Sequence, residues 1–113
     1  MNKNTKENLI IDVIVEIPNA SNLKYEIDKD GNIILDRVLS CSIMYPDNYG
    51  FIPNTLANDG DPLDVLIIVP YALHPGSRVQ CKCLGALIMS DEKGLDEKIL
   101  AVPIDSVDPT YKI

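Results

Sequence analysis

Tryptophan is absent from this chain, phenylalanine and histidine occur once each, and five tyrosines make up the rest of the aromatic surface. Single-stranded nucleic acid is bound by stacking bases on aromatics in a basic groove. Basic residues are in the minority too: 10 Lys and Arg stand against 17 Asp and Glu, a net charge of −7. DNA or RNA binding is therefore not expected, although a local cluster of Lys and Arg can still hold a small anion. Long hydrophobic runs are missing. None approaches the roughly 20 residues of a membrane span, and the polar start MNKNTKEN has no apolar stretch of signal-peptide type. The expectation is a cytoplasmic protein with no membrane partner. Cysteine is scarce as well. Cys41, Cys81 and Cys83 are an odd number, which disfavours a disulfide framework. With His74 the only histidine, a zinc site at these thiols lacks ligands, and Cys81 and Cys83 read as small core residues on one face of a strand. No G-x-x-x-x-G-K-S/T stretch is present, so a phosphate-cradling loop of that type is excluded.

At 113 residues the chain reads as one domain, 1–113, long enough to bury a core. A long 3.6-residue period is missing and helix should be scarce. Short segments of period 2 stand between turn signals, which predicts a mainly β fold, a small barrel or sandwich. In LIIDVIVEIP, Leu9, Ile11, Val13, Val15 and Ile17 share one parity, while Asp12 and Glu16 take the other. NLKYEID alternates Leu23, Tyr25 and Ile27 against Lys24, Glu26 and Asp28. Asp30-Gly31-Asn32 reads as a turn into IILDRVL. VLIIV, RVQCKCLGALIM and ILAVP supply further strands, with Arg78, Gln80 and Lys82 on the polar face of the second. Met44 to Gly50, MYPDNYG, reads as a Pro-Asp-Asn turn flanked by Tyr45 and Tyr49.

The densest polar feature is DGDPLDV, which places Asp59, Asp61 and Asp64 together before an apolar run. Two carboxylates about 4 Å apart repel by roughly 1 kcal/mol in bulk water and about 4 kcal/mol near a protein surface. The three must therefore splay into water or share a cation. Gly60 and Pro62 let the backbone leave strand geometry, so convergence is available. A solvated Asp-Gly turn is the plainer alternative. A calcium EF-hand loop fits worse: counted from Asp59, the sixth position is Asp64 where Gly is needed and the twelfth is Pro70 where Glu is needed. A second acidic loop, DEKGLDEK with Asp91 and Asp96, and Glu16 within an apolar strand favour a metal site. Their plainer alternatives are a solvated hairpin and an outward-facing strand residue. All-oxygen ligands select hard ions such as Mg2+ or Mn2+ over Zn2+ or Cu2+. Lys24, Arg37 and Lys98, with the hydroxyls of Tyr45 and Tyr49, could meet phosphate oxygens. Carboxylates for metals with Lys, Arg and Tyr for phosphate is the combination that metal-assisted phosphoryl transfer needs.

VEIP, KYEID, DR, YPDNYGFIPNT, DGDPLDVLII, PGS and GALIMSDEKGLDEKILAVP together resemble the soluble family I inorganic pyrophosphatases of bacterial type, from Val13 to Pro103. The resemblance implies an OB-like closed β-barrel, with helices packed outside it in the family. It implies hydrolysis of pyrophosphate to two phosphates with several Mg2+ ions, for which Mn2+ or Zn2+ could substitute. By the same resemblance, Asp59, Asp64, Asp91 and Asp96 would be metal ligands, with Glu16 and Glu26 lining the metal side. Asp61 would accept a proton from the attacking water. Lys24, Arg37, Tyr49 and Lys98 would bind phosphate, with Tyr45 in support. Bacterial relatives are homo-oligomers, hexamers, and an oligomer is expected. The family pattern continues past DPTYKI into helices and a phosphate-binding Tyr-Lys pair. The chain is therefore read as a C-terminally truncated domain, and a barrel that binds metal and phosphate without efficient turnover is the competing expectation.

Overall fold

The computed structural model describes residues 9–40, 47–57, 60–91 and 94–110, with backbone alone at 89–91 and 94–96. Seven strands follow in order: β1 (Ile10–Ile17), β2 (Leu23–Ile27), β3 (Ile33–Val38), β4 (Asn48–Ile52), β5 (Leu63–Ile67), β6 (Arg78–Asp91) and β7 (Gly94–Pro103). No helix occurs among the described residues. Five strands close a barrel in the order β1-β4-β5-β7-β6, while β2 and β3 pair as a separate hairpin. β5 and β7 run parallel and every other neighbouring pair is antiparallel. With the hairpin set aside, the barrel order is first-second-third-fifth-fourth, an OB-like five-stranded barrel.

The period-2 pattern of the sequence explains the inside. Val13, Val15, Val65, Ile67, Cys81 and Ala101 are fully buried and form the barrel core with Val69 and Val79. Each such aliphatic side chain stabilises by about 1.5–3 kcal/mol relative to exposure. Leu9, grouped with this face from the sequence, is instead exposed. Burial, with Asp12 adding to it, pushes the Cys81 thiol up to about 12, so it packs as an inert hydrophobe. Cys83 is only partly buried.

Three departures from the alternation pattern have physical causes. Asn48–Ile52 is a barrel strand where a turn was expected, because Asn48 and Gly50 serve inside the barrel wall. Asn48 is fully buried; its side-chain oxygen accepts from the Asn19 and Leu73 backbone N–H groups, each at 2.9 Å, and its amide donates to the Tyr71 carbonyl at 2.8 Å. Gly50 lies so close to β1 that a Cβ there would run into the Ile14 carbonyl. Second, Lys82 is only 8% exposed. Its ammonium meets Asp105 at 2.7 Å, beneath the 104–108 turn that Ile104 anchors through its N–H to the Gln80 carbonyl. Third, among the described residues β3 pairs only with β2, and its Ile33, Ile34, Leu35 and Val38 remain 44–62% exposed. The turn before it forms as the sequence suggests: Gly31 has φ +85 and its N–H donates to the Asp28 carbonyl. Hydrogen bonds from Asn32 and then Asp30 hold the Asp28 carboxyl below its ordinary range.

Candidate active site

The residues of opposite parity to the core build the site, so it lies on the outer wall of the barrel. β1 carries a bulge between Val15 and Ile17 where it pairs with β4. Glu16 is the extra residue, and a bulge of this kind re-aims a side chain and often borders a functional site. On β4, Asn48 and Gly50 are buried while Tyr49 and Phe51 face the other way. On β5, Val65 and Ile67 enter the core and Asp64 faces the other way. Gly60, at φ +87, turns the preceding loop so that Asp61 and Pro62 arrive beside them. The β2–β3 hairpin supplies the opposite wall through Lys24, Glu26 and Ile27.

These elements enclose a cleft of about 450 Å³ lined by Glu16, Lys24, Glu26, Tyr49, Asp61 and Asp64, with Ile27, Phe51 and Pro62 as its apolar part. Lys98 completes one edge. The parallel register sets it beside Asp64, its ammonium lies 3.5 Å from the Asp64 carboxylate and 5.2 Å from the centre of the Tyr49 ring. The geometry is that of an ion pair with a cation–π contact.

Glu16 is the carboxylate that this cleft perturbs. The Glu16 carboxyl is pushed up from an ordinary 4.5 to about 7. Burial is the largest cause; Asp64, Glu26 and Asp61 add repulsion, and Lys24 opposes it. Four carboxylates, Glu16, Glu26, Asp61 and Asp64, line the cleft with Lys24, and a divalent cation there would favour their charged forms. The donors are all oxygen, which suits Mg2+ or Mn2+. Among the described residues no three carboxylates are already gathered into a ligand cluster.

Of the residues expected from the sequence, Glu16, Lys24, Glu26, Tyr49, Asp61 and Asp64 share the cleft, and Lys98 adjoins it. Arg37 does not line it. It pairs across the hairpin with Lys24, but its guanidinium turns to the neighbouring Asp36 at 3.2 Å, with 62% of the side chain exposed. Asp36 is the extra residue where the β2–β3 register shifts. Tyr45 and Asp59 lie outside the described residues. The backbone of Asp91 and Asp96 lies near the tip of the β6–β7 hairpin, Asp91 opposite Gly94 and Asp96 opposite Met89. Their side chains lie outside the described set.

Residues 13–113 match the family model for inorganic pyrophosphatase. The chain belongs to that family. It is 54% identical over 102 residues to an inorganic pyrophosphatase of Campylobacter jejuni and 55% identical over 103 residues to one of Sulfolobus acidocaldarius. These matches cover 89% and 90% of this chain and 59% and 60% of the relatives. Among solved structures, an inorganic pyrophosphatase of Coxiella burnetii aligns with a TM-score of 0.85 at 45% identity, covering 95% of this chain and 65% of that one. The Helicobacter pylori inorganic pyrophosphatase aligns with a TM-score of 0.82 at 50% identity, covering 92% and 61%. The chain spans about 60% of the length of the curated relatives it matches.

Sequence reasoning missed some contributors to this pyrophosphatase-family cleft. Phe51 went unnoticed because its strand was read as a turn. Ile27 was assigned to the apolar face of its strand, yet it lines the same cleft as Lys24 and Glu26. The register shift opposite Lys24 and Tyr25, which inserts Asp36 on β3, leaves no mark in the sequence either.

Proposed function

We propose that this chain hydrolyses inorganic pyrophosphate to two phosphates in the outer cleft, with Mg2+ as cofactor. The observation that carries the reading is the convergence of Glu16, Glu26, Asp61 and Asp64 with Lys24 and Tyr49 on the walls of one cleft, in a chain of the inorganic pyrophosphatase family. Asp64, with Asp59, Asp91 and Asp96, would hold the metal ions, and Glu16 and Glu26 would border them. Bound there, Mg2+ would lower the pKa of an attacking water and offset charge on the phosphoryl oxygens. Asp61, at the exposed turn before β5, is the group assigned to take the proton from that water. Lys24 and Lys98 would neutralise charge on the leaving phosphate, with Arg37, Tyr49 and Tyr45 as further donors. Lys98 stands between Asp64 and Tyr49, at the border between the proposed metal and phosphate halves. Mn2+ or Zn2+ could replace Mg2+. The reading includes a single barrel domain, a homo-oligomer and a cytoplasmic setting.

The decisive assay is phosphate release from pyrophosphate by the 113-residue chain, with Mg2+ and with chelator. Release that requires Mg2+ is the expected result. A second reading is supported by Arg37, whose guanidinium turns to Asp36 and does not line the cleft: a barrel that binds divalent metal and phosphate with little turnover. Folded protein that binds Mg2+ but releases no phosphate would establish that reading in place of the first.

A further inference from the structure

Loop 53–62 joins β4 to β5, brings Asp61 into the cleft and leads directly into the strand that carries Asp64. Regular pairing between the two strands ends at Ile52 opposite Leu63. At that point the Thr55 hydroxyl donates to the Ile52 carbonyl at 2.6 Å and accepts from the Leu63 N–H at 2.9 Å. One side chain thus bridges the last pair of the ladder. The Leu63 N–H belongs to the Pro62–Leu63 peptide, which lies between Asp61 and Asp64 in the chain. Farther out, the Ala57 N–H donates to the Asp61 carbonyl at 2.7 Å and the Gly60 N–H to the Ala57 carbonyl at 3.0 Å. Asn54 and Gly60 sit at φ 63 and φ 87. A non-glycine residue in that region persists where its surroundings hold it. The Thr55 bridge, made by the residue next to Asn54, is such a restraint at the root of the loop.

We infer that Thr55 is a positioning residue of the cleft: its hydroxyl fixes the peptide between Asp61 and Asp64, so that Asp64 faces a divalent cation while Asp61 faces the water beside it. The inference rests on the function proposed above and adds to it the residue that sets the spacing of the two acids. It requires no contact between Thr55 and metal or pyrophosphate. Hydrogen-bonding partners behind a metal site orient its ligands, and their loss weakens metal affinity or activity by about 10–100-fold. Misplacing a reacting group by about 1 Å can cost on the order of 100-fold in rate.

The test uses the full chain with Thr55→Val, which keeps the shape and removes the hydroxyl, and Thr55→Ser, which keeps the hydroxyl. Thr55→Ala serves as a second deletion should the Val variant fail to fold. Mg2+ affinity is measured by calorimetry at a temperature where every variant is folded, together with hydrogen exchange of the Leu63 amide and kcat and KM for Mg2+-pyrophosphate. Expected are Mg2+ binding about 10–100-fold weaker in Thr55→Val, faster Leu63 exchange, and near wild-type behaviour in Thr55→Ser. Part of the lost turnover should return as Mg2+ is raised. A Val variant that loses thermal stability but binds Mg2+ as tightly as wild type would overturn the inference, as would a Ser variant no better than Val. Weaker Mg2+ binding in Thr55→Val alongside a wild-type chain that hydrolyses no pyrophosphate would uphold the positioning role and refute the hydrolytic reading. Wild-type hydrolysis with Thr55→Val unaffected would do the reverse.

Discussion

Replacing Glu16 by Gln should stabilise the metal-free protein above pH 7. In the folded chain the Glu16 carboxyl titrates near 7, against an ordinary value of 4.5, because it is half-buried and faces Asp64, Glu26 and Asp61. Below 4.5 both the folded and the unfolded chain hold the proton, and the contribution is fully present. Between 4.5 and 7 the unfolded chain releases it while the folded chain retains it, so stability falls as pH rises, and the loss is complete above 7. Each pH unit of that window is worth about 1.4 kcal/mol. The side chain keeps contact with water, so solvent screening reduces the total to about 1–2 kcal/mol. Gln keeps the shape and has no proton to lose. Urea unfolding with chelator present, on wild type and Glu16→Gln at pH 5 and pH 8, measures the effect. The stability of the variant relative to wild type should rise by about 1–2 kcal/mol from the lower to the higher pH. Mg2+ at pH 8 should then stabilise wild type more than the variant, since a ligand that binds only the folded state adds stability that grows with the logarithm of its affinity. A difference independent of pH, or a variant less stable at pH 8, would refute the reasoning.

Two further expectations concern the strand that carries Tyr49 to the cleft. Gly50→Ala should cost about 3 kcal/mol, because the added methyl meets the Ile14 carbonyl and a Val13 methyl in the barrel wall; denaturant unfolding that shows wild-type stability would remove the close-approach argument. Asn48→Ala should cost about 3–5 kcal/mol, since it strips partners from the Asn19 and Leu73 N–H groups and the Tyr71 carbonyl in a fully buried setting. A loss below about 1 kcal/mol would mean that water replaces the amide.

The core strands were legible because each needs only one face buried. In β1 the buried Val13, Val15 and Ile17 fall on one parity with Asp12 and Glu16 on the other, and in β5 Val65 and Ile67 are buried with Asp64 on the other parity. β4 was not legible. Its Asn48 and Gly50 are turn formers by propensity, and they become strand residues only because a buried amide joins three segments and a missing side chain lets β1 approach. That compensation is tertiary and leaves no local mark. Lys82 shows the same limit: alternation assigned it to a polar face, but whether that face meets water depends on the 104–108 turn and on Asp105. Within the site, the acids of DGDPLDV and the Gly60 turn could be read from charge repulsion and backbone freedom. The meeting of Glu16 and Lys24 with them, across strands distant in sequence, came from resemblance to the pyrophosphatases. Its structural basis is a bulge in β1 and a hairpin outside the barrel. Arg37 marks the remaining distance, since its register neighbour Lys24 lines the cleft while its own guanidinium turns to Asp36.

The central claim is that the cleft activates water for attack on pyrophosphate, with Asp61 as the proton acceptor. Phosphate release by wild type and Asp61→Asn, side by side in saturating Mg2+, tests it most directly, with circular dichroism to verify that both are folded. The account predicts Mg2+-dependent release by wild type and a loss of about 100-fold or more in the variant, in the range a positioned general base contributes. Equal rates in the two folded proteins would contradict it.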